Sequence, residues 1–587
     1  MRRTPRPLLS PRARRLALGL CATALFGGAG CKHDDAHGSG SADGTDSMSG
    51  SDSMTATDGT SADTTATDSS ADSGDTEGDA LMPVPGGLRR MVAREYIATI
   101  DLLLGADAAA AADPPADVPQ EGFDAVGAAI LSLDGVAVEG YENSAESIAE
   151  AAVANPARLI EIAPCVGSSP TAACYVEVAT NFGRLAFRRP LEQTEIDLLA
   201  EVGTHGMDWG EGDFNAGLKY QLMTILQMPS FLYLVEVGEP DADSGYRKLD
   251  QYELATRMSI FLLGRGPDAA LLDLAEANGL DSNDAIRAQA QAMVASDQAR
   301  TALAGFMDEY LRLRNLTTDA KNAELFPLFD TDLALAMRQE SLLLVHDIVW
   351  DSDADYRELF TADYTYINDR LATLYGMTPP GQGETFVRVQ WPDNQLRAGY
   401  LSQASFLTHQ ASSLRTSPTK RGRFVQQSVL CQDIPPPPQG VDPTLPPLPD
   451  DLTLRELLLM HMTEPSCNGC HGQTDPIGFA FEFYDAIGAY RTVEPNGLPL
   501  SGQGEIADFG EWNNAQDLAA LIAADPRTTA CFIKNLIRGE LGHKETGGEA
   551  GAIAALDATF ADNGYSVQNL LVEFPTTSLF QLVDEPK

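Results

Sequence analysis

Apolar residues recur at helical spacing through most of the chain from Leu88 onward. Leu88, Met91, Val92, Tyr96, Ile100, Leu103 and Leu104 share one face, and Gly105 supplies a stop, so a helix is predicted from 88 to 105. Further helical runs follow at Ser144–Ala154, Tyr175–Phe187 (ended by Pro190), Glu192–Val202 and Ala216–Met228, the last closed by Pro229. Phe231–Val235 is a short apolar piece, extended or helical. Asp250 is placed to cap a helix through Leu263, with Glu253 at the third helical position to complete a capping box. Pro267–Ala277, Ala285–Ala295, Ala302–Leu313, Asp330–Val349 and Tyr364–Gly376 continue the pattern. Alternation is scarce, Thr385–Val389 being the best strand candidate. The predicted class is mainly α, a multi-helical globular body with little β.

Composition divides the chain. Residues 1–31 read as an export signal of lipoprotein type: six arginines, the apolar run Leu16–Phe26, small residues, then Cys31 as the lipidated residue. Gly28 stands where such signals usually carry Leu, and ordinary cleavage nearby is the alternative. Residues 32–80 are Ser, Thr, Asp and Gly with almost nothing to bury, an acidic disordered tether. Helical domains are expected over 88–240 and 241–397. A connector over 398–449 holds the basic turn Ser417–Gly422 and the Pro-rich run that begins at Ile434. Residues 450–587 form the last domain. The formal net charge is -44, and without the six signal arginines the rest would carry about -50. So acidic a chain argues against nucleic acid and against direct adsorption to anionic lipid, leaving a lipid anchor and a basic protein as fitting partners.

The last domain carries the sharpest chemical signal, Cys467-Asn468-Gly469-Cys470-His471. Cys-x-x-Cys-His is the attachment signature of one c-type haem: the thiols add to the two vinyl groups and His471 becomes the proximal iron ligand. The alternatives are a disulfide, a thioredoxin-type pair or half of a zinc site. A second Cys/His pair at zinc spacing is missing, and the upstream run Leu452–Met462 is helical where a redox pair would follow a strand. No Met occurs after His471, so the second axial position falls to His409, His461, His543, Met460 or Met462, or stays open. Lys420, Arg421 and Arg491 are candidate propionate partners or ordinary salt bridges. Asp475, Glu482 and Asp485 are candidates for cation binding or proton transfer, with capping the alternative for Asp475. Arg188-Arg189 reads as a structural pair. Of the remaining cysteines, Cys165 and Cys174 flank a short Gly/Ser/Pro loop and suit a local disulfide; Cys431 with Cys531 follows by elimination. Signatures of a Ser-His-Asp triad, a phosphate loop or HExxH are absent.

Several blocks together carry a resemblance: Arg89–Gly105, Asn181–Leu191 (NFGRLAFRRPL), Pro229–Glu236 (PSFLYLVE), Leu249–Leu263, Asp363–Gly376 (DYTYINDRLATLYG), Thr416–Gly422 (TSPTKRG) and Cys467–Arg491. In their order the chain resembles exported multi-block proteins of unknown function from planctomycetes and myxobacteria, the "planctomycete cytochrome C-like" set. One departure is Leu262-Leu263, where similar proteins tend to carry Leu-Trp. The resemblance implies a largely helical fold with a C-terminal cytochrome-c-like helical segment, and it supplies no reaction. Three functions stand open: an electron-transferring haem lipoprotein at the periplasm or cell surface, a haem enzyme with an open distal site, and a surface scaffold or polymer-binding protein.

Overall fold

A computed structural model describes residues 81–168, 170–435, 448–463 and 465–586. The export signal, Cys31, the tether and residues 436–447 of the Pro-rich run lie outside them. The fold is mainly α-helical, with small two- and three-stranded sheets. Among the described residues no helix is long and apolar enough to cross a membrane.

Two large apolar interiors organise the described residues. The smaller is built from helices Ala93–Leu104, Gly135–Ala154, Cys174–Phe187, Gln193–Trp209 and Phe214–Gln227, with Tyr96, Tyr175 and Phe182 at its centre. Its edge corrects the sequence reading. Leu88 does not open a helix: Gly87–Arg90 is a strand paired antiparallel with Tyr233–Glu236, and the helix starts at Ala93. The reason is non-local pairing, reinforced by buried Arg89, whose guanidinium donates to Glu95 at 3.0 Å. Arg188, left-handed at φ 60°, donates to the carbonyls of Phe231, Ser230 and Tyr233 and so holds the second strand.

The larger interior draws on residues from Phe123 to Val583, so the stretches 241–397 and 450–587 share one core. Phe532 is packed against Phe306, Tyr310, Tyr356 and Phe560 there. Asp250 and Glu253 form the capping box that opens helix Gln251–Leu263. The run 364–376 is not one helix: Tyr364–Ile367 pairs with Val387–Gln390 and only Asp369–Leu374 is helical, because Asn368 caps a new helix at that point. The basic turn is likewise a helix, Pro418–Phe424, capped by Ser417. Near its end the chain returns to the middle, where Leu582–Val583 pairs with Arg247–Lys248. Disulfides join Cys165 to Cys174 and Cys431 to Cys531, with Cα–Cα separations of 5.6 and 5.3 Å.

Candidate functional site

The Cys-x-x-Cys-His run lies in helix Pro465–Phe479, and what seats that helix is the short helix Pro418–Phe424. The two touch backbone to backbone. A Cβ at Gly422 would run into the Thr474 carbonyl, and one at Gly478 into the Pro418 carbonyl. Arg421 fastens the segment that follows. Fully buried, it donates to the carbonyls of Phe481 (2.8 Å), Tyr484 (3.2 Å) and Asp485 (2.8 Å). It is therefore committed to the protein's own carbonyls, and Arg491 to Glu482 and Glu494 at 3.1 and 2.9 Å, instead of waiting for a ligand carboxylate.

On the helix, Cys467, Cys470 and His471 stand at i, i+3 and i+4 and share a face. Both thiols are half-buried and outside both disulfides. Cys470 Sγ donates to the Pro435 carbonyl at 3.2 Å, so Pro435 lies against this thiol. His471 Nδ1 lies 2.8 Å from Oδ2 of Asp475. A carboxylate only accepts, so Nδ1 carries the proton, and Nε2 has no hydrogen-bond partner among the described residues. The Asp475 hydrogen bond raises the imidazole pKa above its usual value, against the opposing effect of burial. Asp475 itself is fully buried and takes a second hydrogen bond from Thr474. It is not a helix cap, because the helix runs on through Pro476 to Phe479.

Of the other candidate histidines, only His461 comes to the motif. It ends helix Leu454–His461, and its ring meets that of His471 edge-on with centroids 4.9 Å apart. His409 instead binds Asp319 at 2.9 Å, and His543 binds Glu549 at 2.8 Å. Glu482 is buried between Arg421, Arg491 and Thr416, and Asp485 accepts from the backbone of Ile487 and Ala489 in a turn. Among the described residues no group of three or more His, Cys, Asp or Glu is placed to hold a metal ion. The sequence reading missed the pairing of Asp475 with His471; the four-residue spacing within one helix was the signal that could have found it.

The molecule is thus a helical protein with a thiol–thiol–imidazole cluster on one half-exposed helix. Four segments match family models, each described only as a protein of unknown function: PSD3 (DUF1587) over residues 89–154, PSD5 (DUF1595) over 174–236, PSD4 (DUF1592) over 249–377 and PSCyt3 (DUF1588) over 397–494. The first two fall in the smaller core, and the last contains the motif helix. This series of blocks is consistent with a planctomycete multi-block family of unknown function. No curated protein and no solved structure matches the chain.

Proposed function

We propose that the chain is an exported, lipid-anchored carrier of one c-type haem that passes electrons outside the cytoplasm. The observation that carries this reading is the presentation of Cys467, Cys470 and His471 on one helical face, with both thiols outside the disulfides and Nε2 uncommitted. The donor set suits the group: two thiols for its periphery and an imidazole nitrogen for its iron. When bound, haem takes up and gives back one electron. The chain's own residues do the rest. Asp475 keeps the proton on Nδ1 and fixes the ring plane of His471, as carboxylates do for metal-bound imidazoles. The contact of helix Pro418–Phe424 sets the helix that carries all three groups. A half-exposed site on an acidic protein suits brief encounters with a basic redox partner. The PSCyt3 name of the matching block agrees in kind.

A second reading, a haem enzyme with an open distal position, is favoured by one feature. A buried carboxylate on Nδ1 makes His471 a more basic proximal ligand, and the histidine candidates for the second position are engaged elsewhere. His409 and His543 would have to leave their carboxylates, and the 4.9 Å contact of His461 with His471 leaves no room for a macrocycle between them. Co-expression with a c-type maturation system tests both. One covalent haem per chain by pyridine haemochrome, lost on Cys467→Ser with Cys470→Ser, is the expected result. Colourless protein overturns it. A carbon monoxide shift in the reduced form selects the enzyme reading, and its absence the carrier.

A further inference from the structure

On the side of the molecule where Cys431 meets Cys531 lies a polar cavity of about 220 Å³. Its walls are unusual in their backbone. Ten non-glycine residues among those described have φ in the left-handed region, and three of them, Glu121 (49°), Arg312 (61°) and Cys431 (49°), line this one cavity. Such conformations are costly and gather where function holds them. Two π-helical turns also meet there. Gln427 and Ser428 come from Val425–Val429, and Arg538 from Ile537–Leu541. π-turns are rare and often mark functional sites.

The charges point to the ligand. Arg538 pairs with Glu545, and Lys544 lies 3.2 Å from Glu121. Arg312 differs. No described carboxylate forms an ion pair with it, and its one hydrogen-bond acceptor among the described residues is the carbonyl of Gly122. Gly122, at φ 89°, is required on two counts, since a Cβ there would also strike the Arg312 guanidinium. The backbone is thus bent to seat a half-buried guanidinium against the cavity, 5.9 Å from the centroid of the Phe123 ring, with one of its N–H groups bonded among the described residues. On a chain of net charge -44, which has carboxylates to spare, that is an arrangement for something brought from outside.

We infer that this cavity binds a small oxyanion, held on the fork of Arg312 with Lys544 at the rim. A planar carboxylate or two oxygens of a phosphate match the paired N–H groups of a guanidinium. None of Cys467, Cys470 and His471 lines this cavity. Inorganic phosphate and acetate are titrated separately into the full protein by calorimetry, with ionic strength held by chloride. Saturable binding of one anion per chain is expected, phosphate alone marking a phosphoryl ligand and acetate a carboxylate. Arg312→Gln should weaken binding about tenfold or more. Gln432→Glu, which spares Arg312 and its seat but adds a negative charge to the wall, should do the same and covers the case in which the arginine variant fails to fold. No saturable binding of either anion up to about 10 mM, or binding unchanged in a folded variant, overturns the inference.

Discussion

Glu340 offers a direct test of how the larger core treats charge. Its side chain is fully buried on helix Thr331–His346, accepting from Thr365 Oγ1 at 2.6 Å and from the Tyr375 hydroxyl at 2.7 Å. Burial lifts its carboxyl to about 7, against the lowering pull of those hydrogen bonds and of Arg397. The folded chain therefore holds the proton more tightly than the unfolded one. The associated stability is complete below the ordinary value of 4.5 and is lost as pH rises through 7. At about 1.4 kcal/mol per pH unit, the gap is worth about 3 kcal/mol. Glu340→Gln removes the titration and keeps an oxygen for Thr365. It also turns an amide NH₂ toward the Tyr375 hydroxyl, at a cost of about 1 kcal/mol. The variant should thus be about 1 kcal/mol less stable than the parent at pH 4 and about 2 kcal/mol more stable at pH 9. Denaturant unfolding of both proteins across that range gives the difference, in which Glu309 (raised to about 6) and Glu540 (raised to about 8) cancel because both chains carry them. A difference constant within about 1 kcal/mol refutes the reasoning and places a charged Glu340 in the folded core at neutral pH.

Two further predictions concern the motif helix. Gly422→Ala and Gly478→Ala each force Cβ into a facing carbonyl, so each should lower unfolding stability by about 2 kcal/mol; in haem-loaded protein both should also reduce covalent incorporation, read from the haem-to-protein absorbance ratio. Asp475→Asn weakens the hydrogen bond to His471 Nδ1. A tenfold change in the relative stability of the two oxidation states is about 59 mV for one electron, and the midpoint potential should rise by roughly that much in a spectroelectrochemical titration. An unmoved potential would reduce Asp475 to a packing residue.

What could be read from the sequence was what is local. The capping box of Asp250 and Glu253 lies within four residues, and the helix it opens was placed to within a residue. Cys-x-x-Cys-His is equally local. Strands Gly87–Arg90 and Tyr364–Ile367 were lost inside helical patterns because their partners stand about 146 and 23 residues away, and an apolar face serves either element. The contact of Gly422 with Thr474 joins segments separated by 52 positions and leaves no trace in either. Arg421 reads in the sequence as a propionate partner or a salt bridge, and its ion pair with Glu482 fits the second reading. The carbonyls it also holds 60 to 64 positions on are non-local and leave no sign in its own stretch.

Four cysteines lie between residues 431 and 531, and they meet two different fates. Four thiols can form six different single disulfides, and Cys431–Cys531 alone leaves the inner two reduced. On the proposed export route, amino end first, Cys431, Cys467 and Cys470 emerge before the last partner. Cys467 and Cys470 must then be guarded from oxidant while a bond that encircles them is still waiting to close. Loading of the proposed haem would thus need a reductant and an oxidant at work on neighbouring sulfurs. The characteristic failure would be a stapled inner pair in a product of normal size and shape that takes up no pigment.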